Sequence, residues 1–322
     1  MPCACHHDRT MRLTGFFVHP PRAPSGSPKL GFFAIMKKVL HVLPMNLVLD
    51  TVQIETVCAE RWRYLEAPLR PCRAQLRIWG ERVDDVARGL QRPSALCLGS
   101  TPELRDLLLE RGFALTVLDP NDDVYGFMTE LMEHPRHPNE MYEKLDWRDA
   151  DFVPGTFDVV LSDLLLFHLP DRVLIGELYE RLHTWMASGG VVLTREIISL
   201  PANRFPSCAD LVVAWRRGEI QNPSDLSHLL IFANDSPIMD ERREKVDGRL
   251  ASILLHALKQ KNIISAEEYE MLSTVALPWQ GIAHRREDLR LSMEQFFRLE
   301  SLHPCQQFIS CQTMPLWQLI NS

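Results

Sequence analysis

Apolar residues in the middle of the chain occur in short runs that alternate with amphipathic segments. Four runs, SALCLGS, FALTVLDP, FDVVLSD and VVLTREI, are predicted to be buried strands. Between them, segments such as TPELRDLLLERG and DRVLIGELYERLHTWM have the apolar spacing of helices. Strands that alternate with helices indicate βαβ units, so the pattern predicts an α/β fold with a doubly wound parallel sheet.

Helical patterns flank this alternating core, which we place at residues 93–204. Residues 45–92 are predicted to form helices before the sheet, with these apolar positions on one face: Leu76, Trp79, Val83 and Val86. The alternation then stops, and residues 205–280 are predicted to be a helical insertion with one long amphipathic helix over about 240–261. Residues 281–322 are expected to supply a last helix, SMEQFFRL, and two strands, LESLHPCQQF and PLWQLI.

The first 44 residues differ in composition from the rest of the chain. They hold six Lys or Arg residues against one acidic residue, Asp8, and include the segment PPRAPSGSP. Such a segment buries too little apolar surface to offset the entropy of ordering, so residues 1–44 are predicted to be a disordered leader. Two interpretations stay open: a targeting peptide, or a protein whose folded part begins at Met36 or Met45.

A truncated chain that starts at Met45 is expected to unfold at the same temperature as the full chain, because the leader adds no packed surface. Circular dichroism during heating measures this, with the full chain scanned at the same concentration. A midpoint lower by many degrees would show that the leader contributes to the fold.

Composition and charge limit the class of protein. The 322 residues are 46% hydrophobic and 24% charged, as in ordinary globular proteins with a sizeable core. Since 35 Lys and Arg stand against 42 Asp and Glu, the net charge is −7, which disfavours a nucleic-acid partner. The sequence lacks a run of roughly 18 to 20 apolar residues, so no membrane partner is predicted.

The eight cysteines show no paired framework, which is typical of reduced thiols in a cytoplasmic enzyme. Four residues of metal-ligand type lie close together near the N-terminus: Cys3, Cys5, His6 and His7. A tetrahedral zinc site would need a second half from elsewhere in the chain, and the sequence offers none. No metal site is therefore predicted.

A glycine and an acidic residue follow the first two predicted strands. In an open parallel sheet, ligands bind at the carboxyl ends of the strands, where the loops LGSTPE and LDPND would meet. Gly99 suits a tight turn that a ligand can approach, and Asp119, 20 residues later, has the spacing from which an acid reaches a ribose diol. Together they favour a nucleoside-type cofactor, although Gly99 alone could be a simple turn and Asp119 alone a helix N-cap.

Four segments resemble successive motifs of class I S-adenosylmethionine-dependent methyltransferases. They are ALCLGSTPE, TVLDPN, LDWRDADFVPGTFDVVLSDLLLFHLP and MASGGVVLTRE, in the family's order. They are similar to a bacterial branch with a Gly-x-Thr-Pro-Glu cofactor loop and an Asp-Trp adenine segment, and the resemblance spans about residues 55–322. It implies a Rossmann-like sheet of seven strands, mostly parallel with an antiparallel C-terminal strand, and S-adenosyl-L-methionine as the cofactor.

The resemblance also implies roles around the methionine and ribose of the cofactor. Gly99, Ser100 and Thr101 would line this portion of the molecule. Glu103 would be available to the ammonium group, and Asp119 would bind both ribose hydroxyls.

For the adenine, the resemblance implies a second set of contacts. Pro120 would lie against the ring, and Asp146 would accept a hydrogen bond from the exocyclic amine. Trp147 would cover a ring face, while Asp163 would stand where cofactor and substrate meet. Two structural interpretations stay open: Asp146 in a surface ion pair with Arg148, and Trp147 as part of the core.

The cofactor loop departs from the common family pattern. Where the family has an acid two residues before the first glycine, this chain has Cys97, and Thr101 and Glu103 replace two further glycines. Cys97 cannot orient the cofactor as a carboxylate would. The alternative function is therefore a catalytically idle S-adenosylmethionine-binding homologue that acts as a scaffold or partner subunit.

Asp163 and His168 are the candidate catalytic residues. His168, in LLLFHLP, is expected to face the crevice, and the ordinary pKa of histidine near neutrality suits a general base. Methyl transfer chiefly requires in-line approach of the nucleophile, and a base only when the nucleophile must lose a proton. Simple packing of His168 at a helix start explains its position equally well.

The predicted function is in-line methylation of a small-molecule acceptor. The cofactor motifs lie between Leu96 and Asp163, so acceptor contacts are expected from the helical insertion, which would cover the site. The candidates there are Trp215, Arg216, Arg217, Trp279 and His284. A nicotinamide-dependent dehydrogenase is disfavoured because Thr101 and Leu104 occupy glycine positions of the turn it requires. The identity of the acceptor and the oligomeric state stay open.

Overall fold

A seven-stranded sheet lies at the centre of the part of the chain that the computed structural model describes, residues 51–200, 205–240, 244–303 and 307–321. Its strands, numbered along the chain, are β1 (Ser94–Leu98), β2 (Ala114–Leu118), β3 (Glu140–Glu143), β4 (Phe157–Asp163), β5 (Met186–Arg195), β11 (Arg298–His303) and β12 (Leu316–Ile320). Their order is β11-β12-β5-β4-β1-β2-β3. The strands from β1 to β5 pair in parallel, and β12 is antiparallel to both β5 and β11. The predicted Rossmann-like α/β fold with an antiparallel C-terminal strand is confirmed.

Helices pack on both faces of this sheet. They are α2 (Arg73–Ala87), α3 (Pro102–Leu109), α4 (Asp122–Thr129), α5 (Arg172–Trp185) and α10 (Arg286–Met293), while α1 (Thr51–Arg61) packs against α4. Ala95 and Cys97 of β1 belong to one core with α2 and α3, whereas Leu96 and Leu98 belong to the other with α5 and α10. Successive side chains of a strand point to opposite faces, so β1 is buried on both sides, as is typical of a parallel sheet.

The predicted insertion contains four helices and several short strands in its described residues. The helices are α6 (Cys208–Arg216), α7 (Pro223–Ile231), α8 (Ala251–Gln260) and α9 (Ala266–Val275). The strands in and around it are β6 (Ile198–Ser199), β7 (Met239–Asp240), β8 (Lys245–Asp247), β9 (Gln280–Ile282) and β10 (His284–Arg285). β7, β8 and β9 form a three-stranded sheet, and β6 pairs with β10.

The prediction of one long helix over 240–261 is wrong for the first half of that range. Lys245–Asp247 forms β8, which pairs antiparallel with β9, and α8 begins only at Ala251. Gly248, between the two, lies so close to the backbone of Leu277 and Trp279 that an added Cβ would collide with it. This close approach of two backbones requires glycine, and apolar spacing along one segment does not reveal it.

The edge strand β3 is absent from the sequence prediction. Its four residues, EMYE, are half-buried or exposed and begin and end with glutamate, so they form no apolar run. The strand is fixed by its parallel pairing with β2. Long-range pairing, rather than local pattern, determines this element.

Several predictions concern residues outside the described ranges. The leader over residues 1–44 and the four residues of metal-ligand type within it belong to that part of the chain. Among the residues that the structure does describe, no helix combines the length and the apolar character that crossing a membrane demands. The cysteines that the structure describes are all buried: Cys58, Cys72, Cys97, Cys208 and Cys311.

Candidate functional site

The strand order reverses between β1 and β4. From β1 the chain builds outward through β2 to β3, then returns to the other side of β1 at β4. Ligands of open α/β sheets bind at such a reversal, outside the carboxyl ends of the strands. The loops after β1, β2 and β4 carry Gly99, Asp119 and His168 to this edge.

The turn after β1 leaves room for a ligand. Gly99 has a φ of +84°, a left-handed conformation that favours glycine, and an added Cβ there would meet nothing within 4 Å. Ser100 and Thr101 are buried, and Thr101 is the N-cap residue of α3, with Pro102 at its first position. The turn therefore presents open space beside the beginning of a helix.

Asp119 is a buried carboxylate at the end of β2, 7% exposed. Its Oδ2 accepts a hydrogen bond from Ser100 Oγ at 2.6 Å and its Oδ1 accepts one from the Asn121 backbone N–H at 3.0 Å. Desolvation raises the pKa of Asp119, and these two hydrogen bonds oppose the shift. The N-cap interpretation of Asp119 is wrong, because Asn121 caps α4 by accepting from Asp123 and Val124.

A second carboxylate near Asp119 was not predicted from the sequence. Glu55 of α1 accepts a hydrogen bond from Asn121 Nδ2 at 3.4 Å. Desolvation raises the pKa of Glu55, the hydrogen bond from Asn121 opposes this, and the charge of Asp119 adds to it. In the sequence Glu55 is one acid on an ordinary helical face, and no motif distinguishes it.

Glu103, in the first turn of α3, has one carboxylate oxygen in an ion pair and one without a partner. Its Oε1 contacts the guanidinium of Arg70. Its Oε2 is buried and has no hydrogen-bond partner among the described residues. A buried, unpaired carboxylate oxygen is costly, so this position favours a ligand that brings a cation or a donor.

The donor set at this edge fits the cofactor that the resemblance implies. Glu103 offers an acceptor for an ammonium group, and Asp119 offers a carboxylate for hydroxyls beside the open turn at Gly99. The residues present therefore match the polar ends of S-adenosylmethionine.

Asp163, at the end of β4, is fully engaged with Arg195 of β5. Arg195 Nε lies 2.6 Å from Asp163 Oδ1 and Nη2 lies 2.9 Å from Oδ2, with both side chains buried. Arg195 also donates to the carbonyl oxygens of Pro68 at 2.6 Å and Leu69 at 2.9 Å. Desolvation raises the pKa of Asp163, and the charge of Arg195 opposes the rise.

This pair holds the segment Pro68–Arg70, which contacts α3 after β1. Arg195 Nη1 also donates to the Arg70 carbonyl oxygen at 3.2 Å, and the Arg70 side chain contacts Glu103. The ion pair thus positions Arg70 against α3. Arg195 was missed in the sequence, where two charged residues that close an apolar strand, in VVLTRE, were the available signal.

The segment predicted to bind adenine has structural partners. Asp146 forms a bidentate pair with Arg148, with Nε to Oδ1 and Nη2 to Oδ2 both 2.8 Å, and this pair lowers the pKa of Asp146. Trp147 is buried in the core cluster that contains Leu96. Pro120 is exposed. Asp146 thus forms an ion pair with Arg148, and Trp147 is part of the core, as the two structural interpretations expected.

His168 lies in a 3-10 turn, Leu166–His168, after β4. The residue is exposed, and its ring meets Phe167 edge-on at a centroid distance of 5.3 Å. Desolvation lowers the pKa of His168. The exposed residue is accessible at the carboxyl end of the sheet.

A buried hydrogen-bond chain lies behind the crevice. Ser162 Oγ is 2.6 Å from Thr194 Oγ1, which is 2.5 Å from Glu196 Oε1. Glu196 Oε2 accepts from the Leu166 backbone N–H at 3.0 Å. Desolvation raises the pKa of the fully buried Glu196 to about 8. The chain joins the ends of β4 and β5 to the turn that carries His168.

An apolar cavity separates the insertion from the loops after β4 and β5. Its enclosed space is about 20 Å³, room for about one water molecule. Its lining residues are Leu69, Phe167, Ile197, Ser227, His228, Ile231, Phe232, Val246, Gly248, Ala251, Val275, Leu277 and Trp279. None of them carries a carboxylate, a lysine or an arginine. The lining is therefore largely apolar.

The other residues proposed for the acceptor do not line this cavity. Arg216 is exposed and pairs with Glu268, and Arg217 is exposed at the end of α6. His284 is buried and its Nε2 lies 3.1 Å from two backbone carbonyl oxygens, those of Leu166 and Leu169. Trp215 is half-buried. Of the five residues, Trp279 alone is part of the cavity wall.

One group of metal-ligand type occurs within the described ranges. Glu110, Glu133 and His134 bring their ligand atoms within 4.8 Å of one another. All three are exposed, and exposed acidic groups commonly occur without a metal. We assign no role to this group.

Comparisons with known proteins give structural neighbours only. No protein-family model matches the chain, and no curated protein does so. The N-methyltransferase NodS from Bradyrhizobium japonicum WM9 with S-adenosyl-L-homocysteine is 11% identical, with a TM-score of 0.46 over 84% of this chain and 99% of that one. A putative S-adenosylmethionine-dependent methyltransferase from Listeria monocytogenes is 12% identical, with a TM-score of 0.45 over 77% of this chain and 99% of that one.

A third neighbour is named as a protein of a different class. A putative zinc-dependent alcohol dehydrogenase from Rhodobacter sphaeroides is 16% identical, with a TM-score of 0.45 over 82% of this chain and 97% of that one. Similarity at this level carries no argument about function, so the function is argued from the residues of the site.

Proposed function

We propose that this chain is a class I S-adenosylmethionine-dependent methyltransferase that acts on a small-molecule acceptor. The observation that carries the proposal is the buried Asp119, held by Ser100 at the carboxyl end of β2. Beside it, the unpartnered Glu103 oxygen suits an ammonium group, and the open turn at Gly99 admits a ligand. The resemblance of these loops to methyltransferase motifs supports the same cofactor.

The chain's own residues would bind and orient the reactants. When bound, the cofactor supplies an electrophilic methyl group on a sulfonium. Asp119 would hold the ribose hydroxyls, with Ser100 and Asn121 fixing its carboxylate. Glu103 would hold the ammonium through the oxygen that Arg70 leaves free. The insertion would exclude water and present the acceptor in line.

Replacing Asp119 with Ala is expected to weaken S-adenosylhomocysteine binding by about 1 to 3 kcal/mol, because charge-assisted hydrogen bonds to two hydroxyls are lost. Calorimetric titration measures the affinity, and circular dichroism shows whether the variant is folded. Asp119→Asn keeps the shape of the side chain and removes its charge, so it is expected to have a smaller effect.

The matched control is Asp122→Ala, an exposed acid three residues further along. It should leave the affinity unchanged. Equal affinities of the folded Asp119→Ala protein and the wild type would mean that the cofactor binds elsewhere.

A catalytically idle cofactor-binding protein is the second candidate function. Cys97 stands at the family's acidic position, is completely buried in the core, and has its pKa raised to about 12 by desolvation. The carboxylates of Asp163 and Asp146 are also occupied, by Arg195 and Arg148. Both functions require cofactor binding. Turnover of labelled S-adenosylmethionine on a panel of small metabolites separates them, since an idle homologue binds without transferring the methyl group.

A further inference from the structure

Arg70 places a partly exposed cation beside the beginning of α3. Its Nε contacts Oε1 of Glu103, in the first turn of that helix. The Arg70 side chain is 28% exposed and that of Glu103 is 14% exposed, so the pair is accessible from solvent. Nη1 and Nη2 of Arg70 have no hydrogen-bond partner within the ranges that the structure describes. The guanidinium therefore keeps donors for a ligand.

The backbone of Arg70 is held on both sides. Its N–H donates to the Glu66 carbonyl oxygen at 3.3 Å, and its own carbonyl oxygen accepts from Arg195 Nη1 at 3.2 Å. The side chain then reaches Glu103, which follows the turn at Gly99, where an added Cβ would meet nothing within 4 Å. A head group that is held before the ligand arrives loses less entropy on binding.

Three arginines bond to residues at this edge of the sheet, and they differ in exposure. Arg105 lies 3.5 Å from a carbonyl oxygen of the turn after β1, but its side chain is fully buried in a pair with Glu140. Arg195 is also fully buried, in its pair with Asp163. Of these three, Arg70 alone is open to an anionic group of a ligand.

The pair of Arg70 and Glu103 matches the two charges of an α-amino acid. Glu103 has an oxygen without a partner among the described residues, and Nη1 and Nη2 of Arg70 form the planar fork that binds a carboxylate through two hydrogen bonds. The four charges would alternate in sign and cancel, so the ligand would add no net charge to a partly buried site. An ammonium without its carboxylate would bring an unbalanced positive charge close to Arg70, and like charges repel.

We propose that Nη1 and Nη2 of Arg70 bind the carboxylate at the amino-acid end of the cofactor, and that Arg70 thereby selects the carboxylated cofactor over its decarboxylated form. The inference rests on the proposed function, which supplies the cofactor. Arg70 is then a specificity-determining residue that lies before the sheet, outside the loops that follow β1 and β2.

The probes are S-adenosylhomocysteine and decarboxylated S-adenosylhomocysteine, in which a hydrogen replaces the carboxylate and the ammonium is kept. Titration calorimetry on the wild-type full chain is expected to give about tenfold tighter binding of S-adenosylhomocysteine, the effect of one charge-assisted hydrogen bond. In Arg70→Gln, which lacks the charged fork, the ratio should fall to about one. Arg63→Gln, at an exposed arginine between α1 and α2, is the matched control and should retain the preference.

Two further variants separate binding of the carboxylate from a structural role. Arg70→Lys keeps the charge but loses the planar fork, so about threefold preference should remain. Glu103→Gln should weaken both probes by the same factor, because both carry the ammonium. If Arg70→Gln also weakened both probes equally and kept the tenfold ratio, Arg70 would only support the fold of the loop, and the inference would be overturned.

The wild-type ratio and the Arg70→Lys variant test the inference even if Arg70→Gln fails to fold. Equal affinities of the wild type for the two probes would overturn it. If S-adenosylhomocysteine binds the wild type and the preference is missing, the cofactor of the proposed function stands and only the role of Arg70 fails. If neither probe binds the wild type, the proposed function fails and the inference fails with it.

Discussion

Replacing Arg195 with Met is expected to lower the free energy of unfolding by about 3 to 5 kcal/mol, the cost of removing one partner of a buried ion pair. Met fills most of the volume but leaves Asp163 buried without its counter-charge. The carbonyl oxygens of Pro68 and Leu69 also lose their donor. The loss therefore combines an unpaired charge with a released backbone segment.

Urea unfolding followed by tryptophan fluorescence measures this effect. Arg148→Met is the matched control, because Arg148 also forms a bidentate pair, with Asp146, but is exposed. Exposed pairs contribute about 0 to 1 kcal/mol. If the two variants lost the same small amount of stability, the Arg195 pair would have no structural importance.

The stability of the protein is expected to fall as the pH rises from 5 to 8, because Glu196 is buried. Its pKa in the folded state is about 8, above the ordinary 4.5, so the folded protein retains a proton that the unfolded chain releases. The stabilisation is fully present below the unfolded pKa and is lost as the pH rises through about 8. Over the pH range in which the folded protein binds one more proton than the unfolded chain, the free energy of unfolding falls by about 1.4 kcal/mol per pH unit.

Glu196→Gln should lower this pH dependence, because glutamine is neutral and keeps a group for the contact with Thr194. A smaller dependence of the same sign should remain, since burial also raises the pKa of Asp119, Glu55 and Asp163. Urea midpoints at pH 5, 6, 7 and 8 give the slope for both proteins. Glu177→Gln, an exposed residue of α5, is the control and should retain the wild-type slope. Parallel pH profiles for wild type and Glu196→Gln would show that Glu196 is ionised in the folded protein throughout this range.

The central strands and the loops that follow them were predictable because their signals are local. Each central strand is an apolar run that ends at the carboxyl end of the sheet, as seen in β1, β2, β4 and β5. The turn after β1 has a positive φ at Gly99, which favours glycine. Asp119 follows its strand at a spacing that has a physical meaning. These features depend on neighbouring residues in the sequence, so one sequence suffices to predict them.

Features that depend on distant contacts were not predictable. Arg195 donates to the carbonyl oxygen of Pro68, and His228 Nε2 lies 2.6 Å from Thr313 Oγ1. Glu55 approaches Asp119 only because α1 packs against α4. Charged and polar residues of these types occur throughout any sequence, and tertiary packing alone gives them partners.

The position of β12 has a consequence for synthesis on the ribosome. β5 pairs with β12 along one edge, and β12 follows it by more than a hundred residues, after the whole insertion. Until β12 emerges, the edge of β5 leaves backbone N–H and C=O groups unpaired and open to pairing with other chains, which promotes aggregation of a nascent polypeptide. Chaperone demand should therefore be greatest while the insertion is being translated, and should end when residues 316–320 leave the exit tunnel.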